Sequence, residues 1–332
     1  MAIDWRAFCD IVDQHERFVL TSHVRPDADA IGSEVGLAEL LESQGKTVRI
    51  VNPSPITDAL LFLDPDGRVE AIGEDVEVAS ACDTDVHVVL DTSAWGQVQG
   101  VGEVLRATKA LKVVIDHHQS SDDLGAVEFK DTSAEATGRL IVDLAESAGW
   151  KISPVAANAL FCAIATDTGW FRFSSTNGGT LKAVGRLIDL GAQPHLLYPQ
   201  LYERCSQARV RLNGRLLERM ELACDGRLAW LTARSEDFAC TGAVPADTED
   251  VVNGCFRIVG VECAFIAHEQ RDGRVKVSFR SRGDVDVAAV AEQFDGGGHR
   301  QASGAVLDGP FEQGLSQVID ALTDALQSPT RN

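Results

Sequence analysis

Within its first 190 residues the chain repeats one pattern: a short, apolar run gives way to polar residues and then to a stretch with helical spacing. The runs at 86–90 and 111–115 are apolar almost throughout, as strands covered on both faces are. Two further strands are expected at 18–22 and 47–51. The spacing predicts helices over 30–44, ended at Gly45, over 134–149, and from a Ser153-Pro154 start through Ala165. Another is expected over 181–189, ended by Gly191. Strands alternating with helices define an α/β fold, here a mostly parallel sheet sandwiched by helices.

The pattern then changes. Residues 191–205, with Pro194 and Pro199, read as a linker, and 204–222 as a long helix. Strands are expected at 227–233, 256–267 and 274–279, with Arg271-Asp272-Gly273-Arg274 as a hairpin turn, and helices at 285–294 and 311–326. A chain of 332 residues is long for a single core. Two domains follow, 1–190 and a smaller α/β domain over 206–332.

Lys plus Arg number 30 against 50 Asp plus Glu, a formal charge of −20, which repels a long polyanionic backbone and excludes long duplex nucleic acid as a partner. No run approaches the roughly 20 apolar residues needed to cross a bilayer, and the N-terminal segment carries no signal-peptide core, so no membrane partner and a cytoplasmic location are expected. The eight cysteines form no CxxC pair and read as buried free thiols.

Four polar clusters stand where elements end: His23 to Ser33, Asp91-Thr92-Ser93, Asp116-His117-His118, and Ala165 to Gly169. Taken singly, an Asp after a strand is a turn or cap residue more often than a ligand. Together they weigh differently, because the carboxyl ends of strands in an open α/β sheet converge on one crevice. His23, Asp27, Asp29, Asp91, Asp116, His117, His118 and Asp167 would meet there, with only Arg25 close by to offset five carboxylates. Divalent cations relieve that repulsion. A mixed Asp and His set without thiolates suits Mn²⁺, Zn²⁺, Co²⁺ or Fe²⁺ better than Mg²⁺ or Ca²⁺, and a two-metal centre performs hydrolytic phosphoryl chemistry. Ser33 and Thr92 are expected as loop ties, Arg139 and Asn158 as helix polar residues supporting the site, and Trp170, Phe171 and Phe173 as packing. His15, His87, His195 and His268 are expected to be structural or surface residues.

In the second half, alternation over 275–282 turns Lys276, Ser278, Arg280 and Arg282 to one face, which reads either as a solvated basic surface or, since an Arg fork matches a phosphate, as a phosphate site at Arg280 and Arg282. The run Gly296-Gly297-Gly298-His299 is costly in backbone entropy, so it reads either as a hinge or as a loop whose amides approach an anion, aided by a following helix start.

The set His23…Asp27-x-Asp29, Asp91, Asp116-His117-His118 and Asp167, followed by Gly296 to Gly304, resembles the DHH phosphoesterases that carry a C-terminal DHHA1 domain. The length and layout are most similar to the short branch acting on oligoribonucleotides a few units long and on 3'-phosphoadenosine 5'-phosphate. The resemblance implies a catalytic DHH domain over 1–190 and a substrate-binding DHHA1 domain over 206–332. It implies two divalent ions, Mn²⁺ foremost, one held by His23, Asp27 and Asp91, the other by Asp29, His117, Asp167 and a shared Asp91. His118 would face the scissile phosphate, Asp116 would orient an imidazole or loop, and Arg280, Arg282, Gly296, Gly297, Gly298 and His299 would hold the substrate. Short RNA or a small phosphorylated nucleotide is then the partner, and a homodimer is the default assembly. Competing readings are a cyclic or linear dinucleotide phosphodiesterase, a pyrophosphatase, and a nucleotide-binding regulator without catalysis.

Overall fold

The computed structural model describes residues 3–270 and 272–327, which fall into two compact units divided between Arg204 and Cys205. In the first, strands β1 (Arg17–Thr21), β2 (Thr47–Asn52), β3 (Val69–Ala71), β4 (Val86–Leu90), β5 (Leu111–Asp116) and β6 (Val127–Lys130) form one wholly parallel sheet in the order β3-β2-β1-β4-β5-β6. Alternate residues feed two cores. Phe18, Leu20, Val88 and Ile115 pack under the helices Trp5–Gln14, Ala28–Ser43, Thr137–Ala148 and Pro154–Asp167, while Val19, Val89 and Val114 pack on the other face with Val101 and Val104. The helix expected over 134–149 begins at Thr137, and β3 and β6 were not expected from sequence.

Two glycines let the helices close on one another. A Cβ at Gly32 would overlap the Ala159 carbonyl oxygen, and one at Gly138 would overlap the Ala163 Cβ. The helices Ala28–Ser43 and Thr137–Ala148 therefore both close tightly on Pro154–Asp167. The supposed linker 191–205 contains the helix Pro194–Tyr202, packed on Pro154–Asp167 within the first unit, because Pro194 occupies a first-turn position where its missing N–H costs nothing.

The second unit carries β7 (Glu221–Ala223), β8 (Leu228–Ala233), β9 (Cys263–Glu269), β10 (Val275–Ser281), β11 (Gly297–His299) and β12 (Ala302–Leu307), ordered β11-β12-β10-β9-β8-β7. Only β8 and β9 run parallel. Val275, Val277 and Phe279 face the helix Phe311–Gln327, as their alternation predicts. The strand expected over 256–267 starts at Cys263, preceded by a 3-10 turn over Val251–Arg257. The helices expected over 204–222 and 285–294 are shorter, Gln207–Glu218 with Ser206 as cap and Val287–Glu292 with Asp286 as cap. Of the expected hairpin turn, Arg271 lies outside the described residues; Gly273 takes φ 83°, and the Gln270 N–H donates to Arg274 O. No helix among the described residues is long and apolar enough to cross a membrane. All eight cysteines are free thiols, but only Cys162, Cys255 and Cys263 are buried as expected, while Cys205 and Cys240 are exposed.

Candidate metal centre

Each polar cluster is delivered by the element before it. Asp91 leaves β4 with φ 62°, a left-handed conformation that is strained for a residue with a Cβ, and its N–H donates to Ile115 O on the neighbouring strand. Asp27 caps the helix Ala28–Ser43 by accepting from the Asp29 and Ala30 amides, which leaves Asp29 in the first turn. Asp167 ends the helix Pro154–Asp167. These strand exits and helix ends bring together ligand atoms of His23, Asp27 and Asp91, of Asp29, His117 and Asp167, and of Asp91, His117 and His118, each set within 4.8 Å.

The imidazoles show what the cluster lacks. His23 Nδ1 donates to Val24 O at 3.1 Å and His117 Nδ1 to Ala134 O at 3.2 Å, and a carbonyl can only accept. In the neutral ring, the form that binds metal, each Nε2 then carries the lone pair. His23 Nε2 faces Asp91 Oδ2 at 3.4 Å; His117 Nε2 faces Asp167 Oδ2 at 3.5 Å, Asp91 Oδ1 at 3.6 Å and Asp29 Oδ2 at 3.8 Å. His117 Nε2 is buried with no hydrogen-bond donor among the described residues. Lone pairs turned on carboxylates repel unless a cation lies between them, so the donor set fits divalent metal. Burial, and then the neighbouring carboxylates, push Asp29 and Asp91 well above the ordinary carboxylate range, and burial raises Asp167.

Asp116 is held differently. It is fully buried, but hydrogen bonds from His118, Ser93 and Lys130 outweigh the burial and keep its carboxyl below the usual range. Oδ1 accepts from both His118 N and His118 Nδ1 at 3.0 Å; Oδ2 accepts from Ser93 Oγ at 2.7 Å and lies 3.0 Å from Lys130 Nζ. His118 is thereby aimed with Nε2 away from Asp116. Its side chain is 48% exposed, and the Asp116 hydrogen bond raises its pKa.

Sequence reasoning missed three partners. Lys130 supplies the cation sought in Arg25, which is exposed and gives its backbone N–H to Ser54 Oγ. The Thr137 and Gly138 amides, at a helix N-terminus, donate to Asp29 at 2.8 Å, and Thr137 Oγ1 donates to Asp91 Oδ1 at 2.9 Å. A helix start was visible near 134, but nothing in its residues said which carboxylates it would meet. Ser33 donates to Asp29 Oδ1, and Thr92 accepts from the Ala94 N–H. Arg139 instead pairs with Glu135 and Asp143, and Asn158 bridges Pro154 O and Gln193 N. Trp170 and Phe171 pack edge-on against Phe161, whereas Phe173 is 54% exposed.

In the second unit, register places Arg280 opposite Ala302 and Ala302 opposite His299. Directly paired residues share a face, so Arg280 and His299 flank one small side chain, their backbones about 10 Å apart. Arg282 lies past the strand end, its guanidinium over the Phe256 ring and donating to Phe256 O. The glycine run differs from the expected loop: Gly297 to His299 form an edge strand, and β12 follows where a helix start was anticipated. A Cβ at Gly296 or Gly298 would collide with the β12 backbone, so those two are required by close pairing, while Gly297 has open space around its Cα.

The DHH family N-terminal domain matches residues 17–164 and the DHHA1 domain matches residues 242–328. The chain belongs to the DHH/DHHA1 family of phosphoesterases. It is 30% identical over 89% of its length to the bifunctional oligoribonuclease and PAP phosphatase NrnA of Bacillus subtilis, covering 90% of that protein. It is 31% identical over 92% of its length to the NrnA of Thermus thermophilus, covering 89% of it. A crystal structure of an exopolyphosphatase-related protein from Bacteroides fragilis superposes with TM-score 0.89 at 27% identity, over 98% of this chain and 97% of that one. The protein is a metal-dependent phosphoesterase.

Proposed function

We propose that the protein hydrolyses short oligoribonucleotides to mononucleotides with Mn²⁺ as its preferred metal, and removes the 3'-phosphate of 3'-phosphoadenosine 5'-phosphate. The observation that carries this reading is the pair of Nε2 atoms, of His23 and His117, turned on the two oxygens of one buried carboxylate, Asp91, with each Nδ1 held by a carbonyl. His23, Asp27 and Asp91 would hold one ion, and Asp29, His117, Asp167 and the same Asp91 the other. Divalent cations bound there supply positive charge to phosphoryl oxygens and acidify water. The remaining work belongs to side chains. Asp116 holds His118 by Nδ1 and favours its protonated form, whose Nε2–H would meet the scissile phosphate as hydrogen-bond donor and then serve as acid to the departing oxygen. Arg280 and His299 hold a phosphate of the substrate, with Gly297 leaving room for it. The acidic surface supports a short substrate.

The test is a panel with Mn²⁺: 5'-labelled di-, penta- and 24-nucleotide RNA, cyclic dinucleotides, 3'-phosphoadenosine 5'-phosphate and pyrophosphate. Fast turnover of the dinucleotide, pentamer and bisphosphate with slow attack on the 24-mer is expected. Turnover of pyrophosphate alone, or of the 24-mer as fast as the dinucleotide, would overturn the reading.

A further inference from the structure

Three fully buried polar side chains meet beside the end of β1: Ser22, Glu34 and Asn52. The register of β1 on β2 ends with Leu20 opposite Ile50. Past that point a side chain takes over the link, for the Ser22 N–H donates to Asn52 Oδ1 at 2.8 Å and Ser22 Oγ donates to the same oxygen at 3.2 Å. A backbone N–H can only donate, so the amide oxygen of Asn52 faces Ser22 and its NH2 is left for Glu34, whose Oε2 accepts at 2.9 Å. The Asn52 backbone is held as well, its carbonyl accepting from the Ile72 N–H.

The amides that follow are tied in the same manner. Val24 N–H donates to Gln97 O at 2.7 Å and Arg25 N–H to Ser54 Oγ at 2.8 Å, with Arg25 at φ 54°, a conformation that costs energy for any residue with a Cβ. His23 lies between these ties. Its Nδ1 rests on Val24 O, and its Nε2 stands 3.4 Å from Asp91 Oδ2 and 4.0 Å from Asp27 Oδ1. Two of the three ties come from Asn52-Pro53-Ser54, where the proline keeps the residue before it extended. Stability alone does not explain this choice of residues. Glu34 Oε1 is buried with no hydrogen-bond partner among the described residues, a standing cost that an apolar side chain would not carry.

We propose that Asn52, backed by Glu34 and joined by Ser54, is a positioning residue for His23, fixing the backbone from which that imidazole reaches its metal ion. It rests on the reading that His23, Asp27 and Asp91 hold one ion of two. The other ion's imidazole, His117, follows β5 and has its own tie to Ala134 O. The Asn52 network therefore acts on one ion and not on both, which a general support of the fold would not do.

Mn²⁺ titration of the full chain, followed by the paramagnetic resonance signal of free Mn²⁺, separates the two ions without calling on hydrolysis. Partners that orient a metal-binding histidine change affinity about 10–100-fold, so Asn52→Leu should weaken one ion at least about tenfold and leave the other within about threefold. That is the pattern expected of His23→Ala and the converse of His117→Ala. Ser54→Ala should weaken the same ion by only about two- to fivefold, because Arg25 is exposed and water can take the place of the hydroxyl. Combining Asn52→Asp with Glu34→Gln exchanges acid and amide across the pair, keeps an acceptor for the Ser22 N–H, and should return the affected ion to within about threefold of wild type. Equal weakening of both ions by Asn52→Leu, or of neither, would overturn the role, as would an exchange variant no better than Asn52→Leu. If Asn52→Leu does not fold, Ser54→Ala decides: a loss confined to the His23 ion supports the role, and no loss overturns it. Should His23→Ala weaken no ion, the ligand assignment fails and the role of Asn52 with it; should it weaken one that Asn52→Leu leaves intact, the positioning role alone fails.

Discussion

Asp116 and Lys130 are direct neighbours in register across β5 and β6, and Lys130 Nζ lies 3.0 Å from the carboxylate oxygen that His118 does not use. The two oxygens of one buried carboxylate are thus divided between the Lys130 ammonium and the His118 imidazole.

Lys130→Met leaves that carboxylate buried with Ser93 and His118 alone. Breaking a buried ion pair from one side costs about 3 kcal/mol or more, and urea unfolding of metal-free protein should show a loss of that order. His118 also loses its fixed anchor, so kcat on a dinucleotide is expected to fall at least tenfold with KM nearly unchanged. Wild-type stability and turnover in this variant would remove Lys130 from the account.

Asp91 occupies a backbone conformation that Asn tolerates and most residues do not. Asp91→Asn should therefore keep the circular dichroism spectrum while abolishing Mn²⁺-dependent hydrolysis. Mn²⁺ at one hundred times its Kd is expected to stabilise the wild type by about 2.7 kcal/mol, and the variant far less. A metal-induced rise in Tm equal to that of the wild type would contradict the shared-carboxylate assignment.

Glu34 is fully buried and accepts a hydrogen bond from Asn52, and burial pushes its carboxyl up to about 8. A carboxyl with a raised folded pKa binds more protons folded than unfolded between its unfolded value, about 4.3, and 8. Folding stability contributed by this group is thus full at low pH and is lost as pH rises through that window. Glu34→Gln cannot ionise. In metal-free protein its stability relative to wild type should improve by several kcal/mol from pH 5 to pH 8. A difference that stays constant across that range would show that Glu34 is not held neutral.

Gly32→Ala places a methyl against the Ala159 carbonyl, with no flexible side chain to yield. Overpacking of this kind costs about 1–3 kcal/mol, and by separating the helices that present Asp29 and Asp167 it should weaken Mn²⁺ binding as well. Gly214→Ala is the control, since it lies inside the helix Gln207–Glu218 with open space around it; it is expected to be neutral or to stabilise by roughly 0.5–1 kcal/mol. Equal behaviour of the two variants would discount the close helix contact.

The positions of the metal-nest residues could be anticipated because parallel strands present their carboxyl ends to one crevice, and each cluster follows a strand or helix that its own periodicity defines. That logic located His23, Asp27, Asp29, Asp91, Asp116, His117, His118 and Asp167 at element ends, and the alternation over 275–282 located Arg280 on the outward face. It gave no sign of β6, an edge strand with one buried residue in four and hence no hydrophobic period, and so no sign of Lys130. It also misjudged the glycine run, whose two crowded members are required by the β12 backbone that lies against them.

Local sequence therefore determined which side chains stand at the ends of which elements, since burial period and capping chemistry act within a few residues. What touches those side chains was decided by packing. The Thr137 amide reaches Asp29 across 108 positions of chain, Lys130 meets Asp116 only because β6 pairs with β5, and His268 and Lys276 share a sheet face only through the register of β9 on β10. Such meetings depend on strand order, register and helix approach, which are set by the fit of whole elements against one another and leave no period in the chain.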